Sequence, residues 1–383
     1  MPPPRASSVP VHPTRAEISL KSYRHNLDAV RSYVGPNVKV MAVVKANAYG
    51  HGMLRIAQES LRWGVDYLAV ARYHEGIRLR ESGIKAPVLV FELVPDESIT
   101  EAIERDLELT VVSMAGLRLM QQCSVQLKRQ VTVHVKVDTG MGRLGVNTAD
   151  AARLIEAGAR LRGINLKGVY SHFATSEDAD QTFAREQVMR FVDVLNELER
   201  RRVQIPLRHM ANSGAIISLK DACFDMVRPG IMLYGYAPRK GMPESYPVQP
   251  VMSLKSHAAF VKDVPPGISV SYGRRYFTKA ETRIVTVPIG YADGYFRLLT
   301  DRAKAIINGV RYPVVGTVCM DQIMLDVGLP ADIREGDTVT LLGTDGGESI
   351  TAWDIGEAIG TIPYEVTCLV TDRVPRVYVE ESL

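Results

Sequence analysis

Two rhythms of apolar and polar positions divide the chain. From Val38 to Gly230, short β-branched runs alternate with longer amphipathic stretches. The runs are Val38–Lys45, Asp66–Arg72, Ala86–Leu93, Leu107–Ser113, Val131–Asp138, Leu166–His172, Leu207–Ser213 and Asp225–Gly230. Between them, stretches such as Asp180–Arg202 repeat apolar residues at helical spacing. About eight strand–helix units predict an α/β fold, a (β/α)8 barrel of the TIM type. A doubly wound open sheet shares this alternation, but no Gly-rich nucleotide fingerprint follows the first run.

One strand predicts which way its faces point. In Val131–Asp138 the four valines alternate with Thr132, His134, Lys136 and Asp138. Barrel strands pack their outer face on helices, so the valines are expected outside and the polar set inside the lumen. Charges placed there need partners, which points to a site rather than to plain packing.

Beyond about residue 250 the rhythm changes. Ala258–Lys262, Arg283–Ile289, Ala303–Ile307, Arg311–Val318, Ile323–Val327 and Thr338–Leu342 read as short strands. Asn308-Gly309 is a type I′ hairpin signal, and only Ala352–Ile359 reads as a helix. The expected domains are therefore a leader over residues 1–15, its end placed to join the β part, a barrel over 16–250 and a mostly-β domain over 251–383, a distorted barrel or sandwich.

Composition narrows the function classes. With 46% hydrophobic and 23% charged residues the chain is globular. A net charge of +3 gives no dominant basic face, so neither nucleic acid nor an acidic membrane is expected as partner. Cys123, Cys223, Cys319 and Cys368 lack metal-ligand or disulfide spacing; no metal is expected, and a reducing, cytoplasmic location fits. The opening MPPPRASSVPVHP has no apolar core of a signal peptide.

Candidate chemistry collects at the ends of the barrel runs, where such folds build active sites. Lys45 closes the apolar Met41–Val44 and is followed by the polar, glycine-punctuated Asn47, Tyr49, Gly50 and His51. This AVVKANAYGHG segment resembles the cofactor-lysine motif of the alanine racemases, fold-type III pyridoxal-phosphate enzymes. KVDTGMGRLG, YSHFATSED, HMANSGA, VRPGIMLYG, SVSYG, GYADGY, GTVCMDQI and TIPYEVTC match as well, in family order and across nearly the whole chain.

The resemblance implies an isomerase that interconverts L- and D-alanine with pyridoxal 5'-phosphate, in a head-to-tail homodimer with shared sites. Lys45 would hold the cofactor as an imine and, once freed, serve as a base on one face of the substrate. Its ordinary pKa near ~10.4 must then be lowered by burial or nearby cations. Ser213 and Asn212, the amides of Gly230 and Ile231, and the Tyr49 hydroxyl resemble the phosphate cradle. Arg228 matches the arginine facing the pyridine nitrogen; a guanidinium cannot protonate that atom, so the ring stays a weak electron sink and transamination is disfavoured.

Tyr272 matches the opposite base, supplied by the partner subunit, with His172 and Arg228 as the expected sources of cationic stabilisation. Arg143 and the Met320 N–H resemble the holders of the substrate carboxylate, and Arg143 also the contact to the cofactor ring hydroxyl. Tyr364 and Tyr291 resemble the entrance wall that favours alanine over larger side chains, Tyr364 also counting toward the cofactor site. Lys136 is the position often carbamylated in relatives, which would relieve its repulsion with Arg143. A broader racemase acting on serine, lysine or arginine shares much of this motif set. A decarboxylase of the same architecture should place a carboxylate where Arg228 stands. Arg274 and Arg275 have no assigned role.

Overall fold

The computed structural model describes residues 13–242 and 247–380; residues 1–12 of the expected leader lie outside them. Two units are distinct: residues 24–249, and the described residues up to 23 together with those from 250 onward.

The first described strand, β1 (Arg15–Ser19), belongs to the second unit. It lies antiparallel to Met252–His257 and parallel to Arg376–Val379. From the sequence the barrel was expected to start at residue 16. That start is displaced because Ala16 and Ile18 are fully buried in the β unit, between two strands far away in the chain. A five-residue strand with remote partners leaves no local signature.

The barrel strands are β2 (Lys39–Val43), β3 (Tyr67–Val70), β4 (Val88–Val90), β5 (Glu108–Val111), β6 (Val131–Asp138), the short β7 (Val146–Asn147), β8 (Ile164–Tyr170), β9 (Leu207–His209) and β10 (Met226–Val227). Their order is β10-β2-β3-β4-β5-β6-β8-β9, all parallel, with β7 beside β6. The remaining seam, between β9 and β10, is bridged by backbone bonds from Asp225 to Arg208 and from Arg228 to Ala211. The barrel expectation therefore holds, with eight principal strands nearly closed.

The outer helices form as their patterns dictate. Thr182–Arg200 buries Ala184, Gln187, Phe191, Val194 and Leu198, one stripe of a 3.6-residue repeat. Asn147 and Ser113 cap helices by accepting from the amides of Asp150 and Gly116. The four valines of β6 are buried at 1% exposure or less, while His134 and Lys136 bond to groups inside the barrel. Asp138 departs from the lumen expectation. Its carboxylate accepts from the amides of Gly140 and Gly142 and so ties down the adjoining loop.

The β unit holds one large sheet and a three-stranded sheet of Phe260–Val264, Thr282–Val287 and Ile323–Asp326. The single strand expected over Ala258–Lys262 is really the junction of two. At Ala258–Ala259 the backbone passes from Asp337 in the large sheet to Thr286 in the small one. The Asn308-Gly309 turn appears as expected: both residues have positive φ, 51° and 75°, between Lys304–Ile307 and Val310–Pro313. The helix Ala352–Ile359 is present, capped by Thr351 with Asp354.

Candidate active site

Lys45 stands at the mouth of the barrel, two residues beyond β2. The chain leaves it through an unusual turn. Ala46, Asn47, Ala48 and Tyr49 all have φ between 52° and 54°, a left-handed turn built from residues with side chains. Each such residue costs about 1–2 kcal/mol, so the turn must be held from outside. Glu75 does much of this: its carboxylate accepts from the amides of Ala46 (2.6 Å), Ala71 (2.9 Å) and Arg72 (3.0 Å). Asn47 Oδ1 accepts from the Met53 amide, and His51 Nδ1 meets the carbonyls of Ala48 and Tyr49. The turn lays Tyr49 on Tyr234, ring centroids 4.7 Å apart.

That placement brings the Tyr49 hydroxyl to the glycine of the VRPG segment. A Cβ on Gly230 would lie 2.4 Å from it, so only glycine permits the approach. On the other side Ser213 Oγ accepts from the amides of Gly230 (2.9 Å) and Met232 (3.4 Å). Asn212 caps the short helix Ser213–Ser218 through the Ala215 amide. Tyr49, Ser213, Gly230 and Ile231 thus form one cluster of hydroxyls and amides, all buried. Its donor set suits a phosphate.

Arg228 is a buried cation of the barrel. It donates to His209 Nδ1 (2.9 Å), the Ser171 carbonyl (2.6 Å), the Met210 carbonyl (3.0 Å) and His172 Nδ1 (3.2 Å). Among the described residues no carboxylate pairs with it directly. Burial pulls its pKa down to about 10, still well above neutrality. His172 is held well below its ordinary pKa, by burial first and then by Arg228, Lys136, Arg143 and Lys45. Against the expectation that His172 supplies a cation to Tyr272, these surroundings favour the neutral imidazole, and with Arg228 donating to Nδ1 its proton then sits on Nε2.

Lys136 lies under the same field. Its ammonium donates to the Leu144 carbonyl at 2.9 Å and sits 5.6 Å from the Tyr170 ring centre. Burial, then Arg228 and Arg143, lower it to about 8. Arg143 adds to this field from an exposed loop rather than from within the lumen, where it was expected beside Lys136.

In the β unit, Tyr272, Tyr291 and Met320 share the wall of a 930 Å³ hollow. Tyr272 is 74% exposed, yet its backbone is fixed. Ser271 takes φ 67° and donates to the Thr317 carbonyl, and the Thr317 hydroxyl donates to the Tyr272 carbonyl. The Cys319 and Met320 carbonyls accept from Tyr291 and Ala292, an approach open only because Gly290 lacks a Cβ, which would lie 2.3 Å from the Met320 oxygen. Tyr364 sits on the helix Pro363–Cys368 and does not line this hollow. Arg274 gains an account: it donates to Ser269 Oγ and covers Phe277, clasping the Tyr272 turn. Nothing in the structure explains Arg275.

Several residues escaped the sequence reading. Glu75 carries a local signal, as the third residue of the helix Tyr73–Glu81 whose carboxylate reaches back to the amides of Ala71 and Arg72, whereas its Ala46 partner is brought to it by the fold. Glu108, His209 and Tyr170 line the lumen. For Glu108 a signal existed: in Leu107–Val111 the polar Glu108 and Thr110 alternate with leucines and valine, the same pattern that placed His134 inside.

Comparisons with known proteins agree with this geometry. Family models described as alanine racemase, N-terminal domain, and alanine racemase, C-terminal domain, match residues 18–238 and 251–378. Alanine racemase 2 of Caldanaerobacter subterraneus subsp. tengcongensis is 45% identical, covering 96% of this chain and 95% of its own. The alanine racemase of Methanococcus maripaludis is 42% identical over 96% and 99%. A solved alanine racemase from Clostridium difficile 630 superposes with a TM-score of 0.93 at 38% identity, over 97% and 98% of the two chains.

Proposed function

The chain belongs to the alanine racemase family of isomerases, and from that premise we propose that it interconverts L- and D-alanine with pyridoxal 5'-phosphate, using one base on each face of the substrate. Lys45 would hold the cofactor; Tyr49, Asn212, Ser213 and the amides of Gly230 and Ile231 would hold its phosphate, with Tyr364 closing the site. When bound, the cofactor supplies the electron withdrawal that acidifies the Cα–H of an attached amino acid. The observation that carries this reading is Arg228, a buried guanidinium that is bonded only to carbonyls and neutral imidazoles. Placed against the pyridine nitrogen, it would leave the ring a weak electron sink, and return of a proton would then be the easier exit.

The residues of this chain divide the proton work. Lys45 Nζ takes or gives the Cα proton on one face, and the partner subunit's Tyr272 does so on the other through its phenol oxygen. The Nε2–H of His172 stabilises that phenolate as a neutral donor. Arg143 and the partner subunit's Met320 N–H orient the substrate carboxylate, and Tyr291 bounds the space for its side chain. The fixed backbone beneath the exposed Tyr272 supports a group presented to another subunit, hence a head-to-tail homodimer. Lys136, lowered to about 8 by burial and two guanidiniums, is suited to carbamylation. Its ammonium would first lose a proton; the neutral amine would then attack carbon dioxide, the N–C bond forming as one C=O π pair moves to oxygen and a second proton leaves, turning a cation into an anion beside Arg143.

Incubation with L-alanine in deuterated water, with Cα–H loss and optical rotation measured together, tests the reading. Both should decay in step, and serine, lysine and arginine should respond more weakly. Exchange with retained handedness, or release of carbon dioxide, would overturn it.

A further inference from the structure

A chain of hydrogen bonds runs inside the barrel that the proposed chemistry does not use. Glu108, the first residue of β5, places Oε2 2.8 Å from His134 Nε2. His134 Nδ1 lies 3.1 Å from His209 Nε2, and His209 Nδ1 lies 2.9 Å from Arg228. All the links are buried except the carboxylate, which is 12% exposed. We propose that Glu108, His134 and His209 are positioning residues: a one-way relay, with each imidazole neutral and protonated on Nε2, that fixes the guanidinium of Arg228 from the far end of the lumen.

The proton positions are set from one end. A guanidinium only donates, so His209 Nδ1 must be bare and its proton must sit on Nε2. That N–H points at His134 Nδ1, which must also be bare. The His134 proton is then on Nε2 and goes to the carboxylate of Glu108. Any other assignment sets two donors or two acceptors against each other. A doubly protonated His134 would push a proton onto His209 Nδ1, facing the Arg228 N–H. The low pKa of His209, set by burial, Arg228 and His134 in that order, agrees with its neutrality.

Independent features of the lumen hold the relay in place. A Cβ on Gly168 would lie 2.4 Å from His134 Nδ1, so the ring fits only against a glycine. The register of β6 and β8 shifts between Val133 and His134, which sets that glycine opposite the histidine. Tyr170 stacks flat on His209, with centroids 4.9 Å apart and planes 2° apart, and its hydroxyl is bonded to Thr110. Arg228 also lies over that tyrosine, 5.4 Å from the ring centre. Around Glu108 itself, Tyr67 and Arg80 feel its charge.

The consequence is electrostatic and geometric. A buried cation without a counter-ion is costly, and a string of polarised hydrogen bonds lets one distant carboxylate offset that cost. The same string fixes which N–H bonds of Arg228 are already engaged. This consequence rests on the proposed role of Arg228 at the pyridine nitrogen; the proton positions do not.

The test uses full-length holoenzyme labelled with 15N-histidine, His134→Gln and His209→Gln assigning the signals. Both residues should show a bare Nδ1 and a protonated Nε2, and His209 should stay neutral as the pH is lowered. A His209 protonated on Nδ1, or a doubly protonated His134 at neutral pH, overturns the relay. Glu108→Gln keeps an acceptor and loses the charge, whereas Glu108→Leu strands the His134 N–H. Because the stranded donor loosens the far end of the string that fixes Arg228, we expect kcat to fall about tenfold for Leu and about threefold for Gln, with the alanine KM nearly constant. The His209 shifts should move in Leu only. If Leu does not fold, the wild-type tautomers still decide. Unchanged kcat and His209 shifts in Glu108→Leu would reduce Glu108 to a structural role and overturn the proposal. Correct tautomers in a protein whose Lys45→Ala variant still racemises alanine would instead remove the functional reading and leave the relay standing.

Discussion

The barrel mouth and the exposed face of the β unit carry the two halves of the proposed chemistry in opposite ways. In the barrel, Tyr49, Ser213, Arg228, Gly230 and Ile231 are buried, with the Gly230 amide already donating to Ser213 and Arg228 to His209 before any ligand arrives. In the β unit, Tyr272, Tyr291 and Met320 are exposed side chains on a backbone held by Ser271, Thr317 and Gly290. The first arrangement is preassembled for a tightly held group. The second keeps a phenol in water while fixing where it stands, which makes sense for a group offered to a site outside its own unit.

The largest effect expected is at Lys45. Lys45→Ala should lower the rate of alanine racemisation at least about a thousandfold, because it removes both cofactor anchorage and one base. Polarimetry on the purified variant checks this, and ordinary racemisation would break the assignment of the barrel half. Tyr272→Phe should cost about a hundredfold while leaving cofactor binding by absorbance unchanged. If the halves meet across a dimer, the two dead variants complement each other. After subunit exchange, random pairing makes half the dimers mixed, each with one intact site, so roughly a quarter of ordinary activity should return. No recovery despite proven exchange would place both bases in one chain.

How far the sequence carried this picture differs between the same two regions. The barrel was legible because parallel strands buried on both faces read as repeated β-branched runs, and because alternation in Val131–Asp138 put His134 and Lys136 inside. The β unit was legible in its short strands Lys304–Ile307, Ile323–Asp326 and Thr338–Asp345, in the helix Ala352–Ile359 and in the Asn308-Gly309 turn. The end of the leader was expected to join this unit, but Arg15–Ser19 was not read as a strand, since the partners that make it one lie more than 200 residues away. At the site, motif residues were found by resemblance, whereas the groups that hold them were not. Glu75 reaches the Ala46 amide and Glu108 acts through relayed imidazoles, and such remote partners are joined by the fold rather than by spacing.

Glu75 gives a middle-sized test of preassembly. Glu75→Gln replaces one acceptor oxygen with a donor facing amides, so the left-handed turn from Ala46 to Tyr49 loses part of its support. Lost bonds of this kind cost about 1–2 kcal/mol, so cofactor affinity should weaken about tenfold, with the β unit undisturbed. Titration of apoenzyme with pyridoxal phosphate measures it; an unchanged Kd would show that the turn is stable without its carboxylate.

The smallest effect separates the two regions by pH. Lys136 is lowered to about 8, by burial first and then by Arg228 and Arg143, so its neutral, carbon-dioxide-reactive form grows as pH rises through that value. An ordinary lysine on the β unit would need a pH near ~10.4 for the same fraction. Protein equilibrated with 13C-bicarbonate should therefore show a carbamate carbon signal that rises between about pH 7 and 9 and is absent in Lys136→Arg. Stripping carbon dioxide at the low end of that range should reduce kcat only about two- to threefold, because Arg143 then faces a cation but no base is lost. A signal that ignores pH, or persists in Lys136→Arg, would assign the carbamate to another amine and leave the Lys136–Arg143 repulsion to be relieved by deprotonation alone.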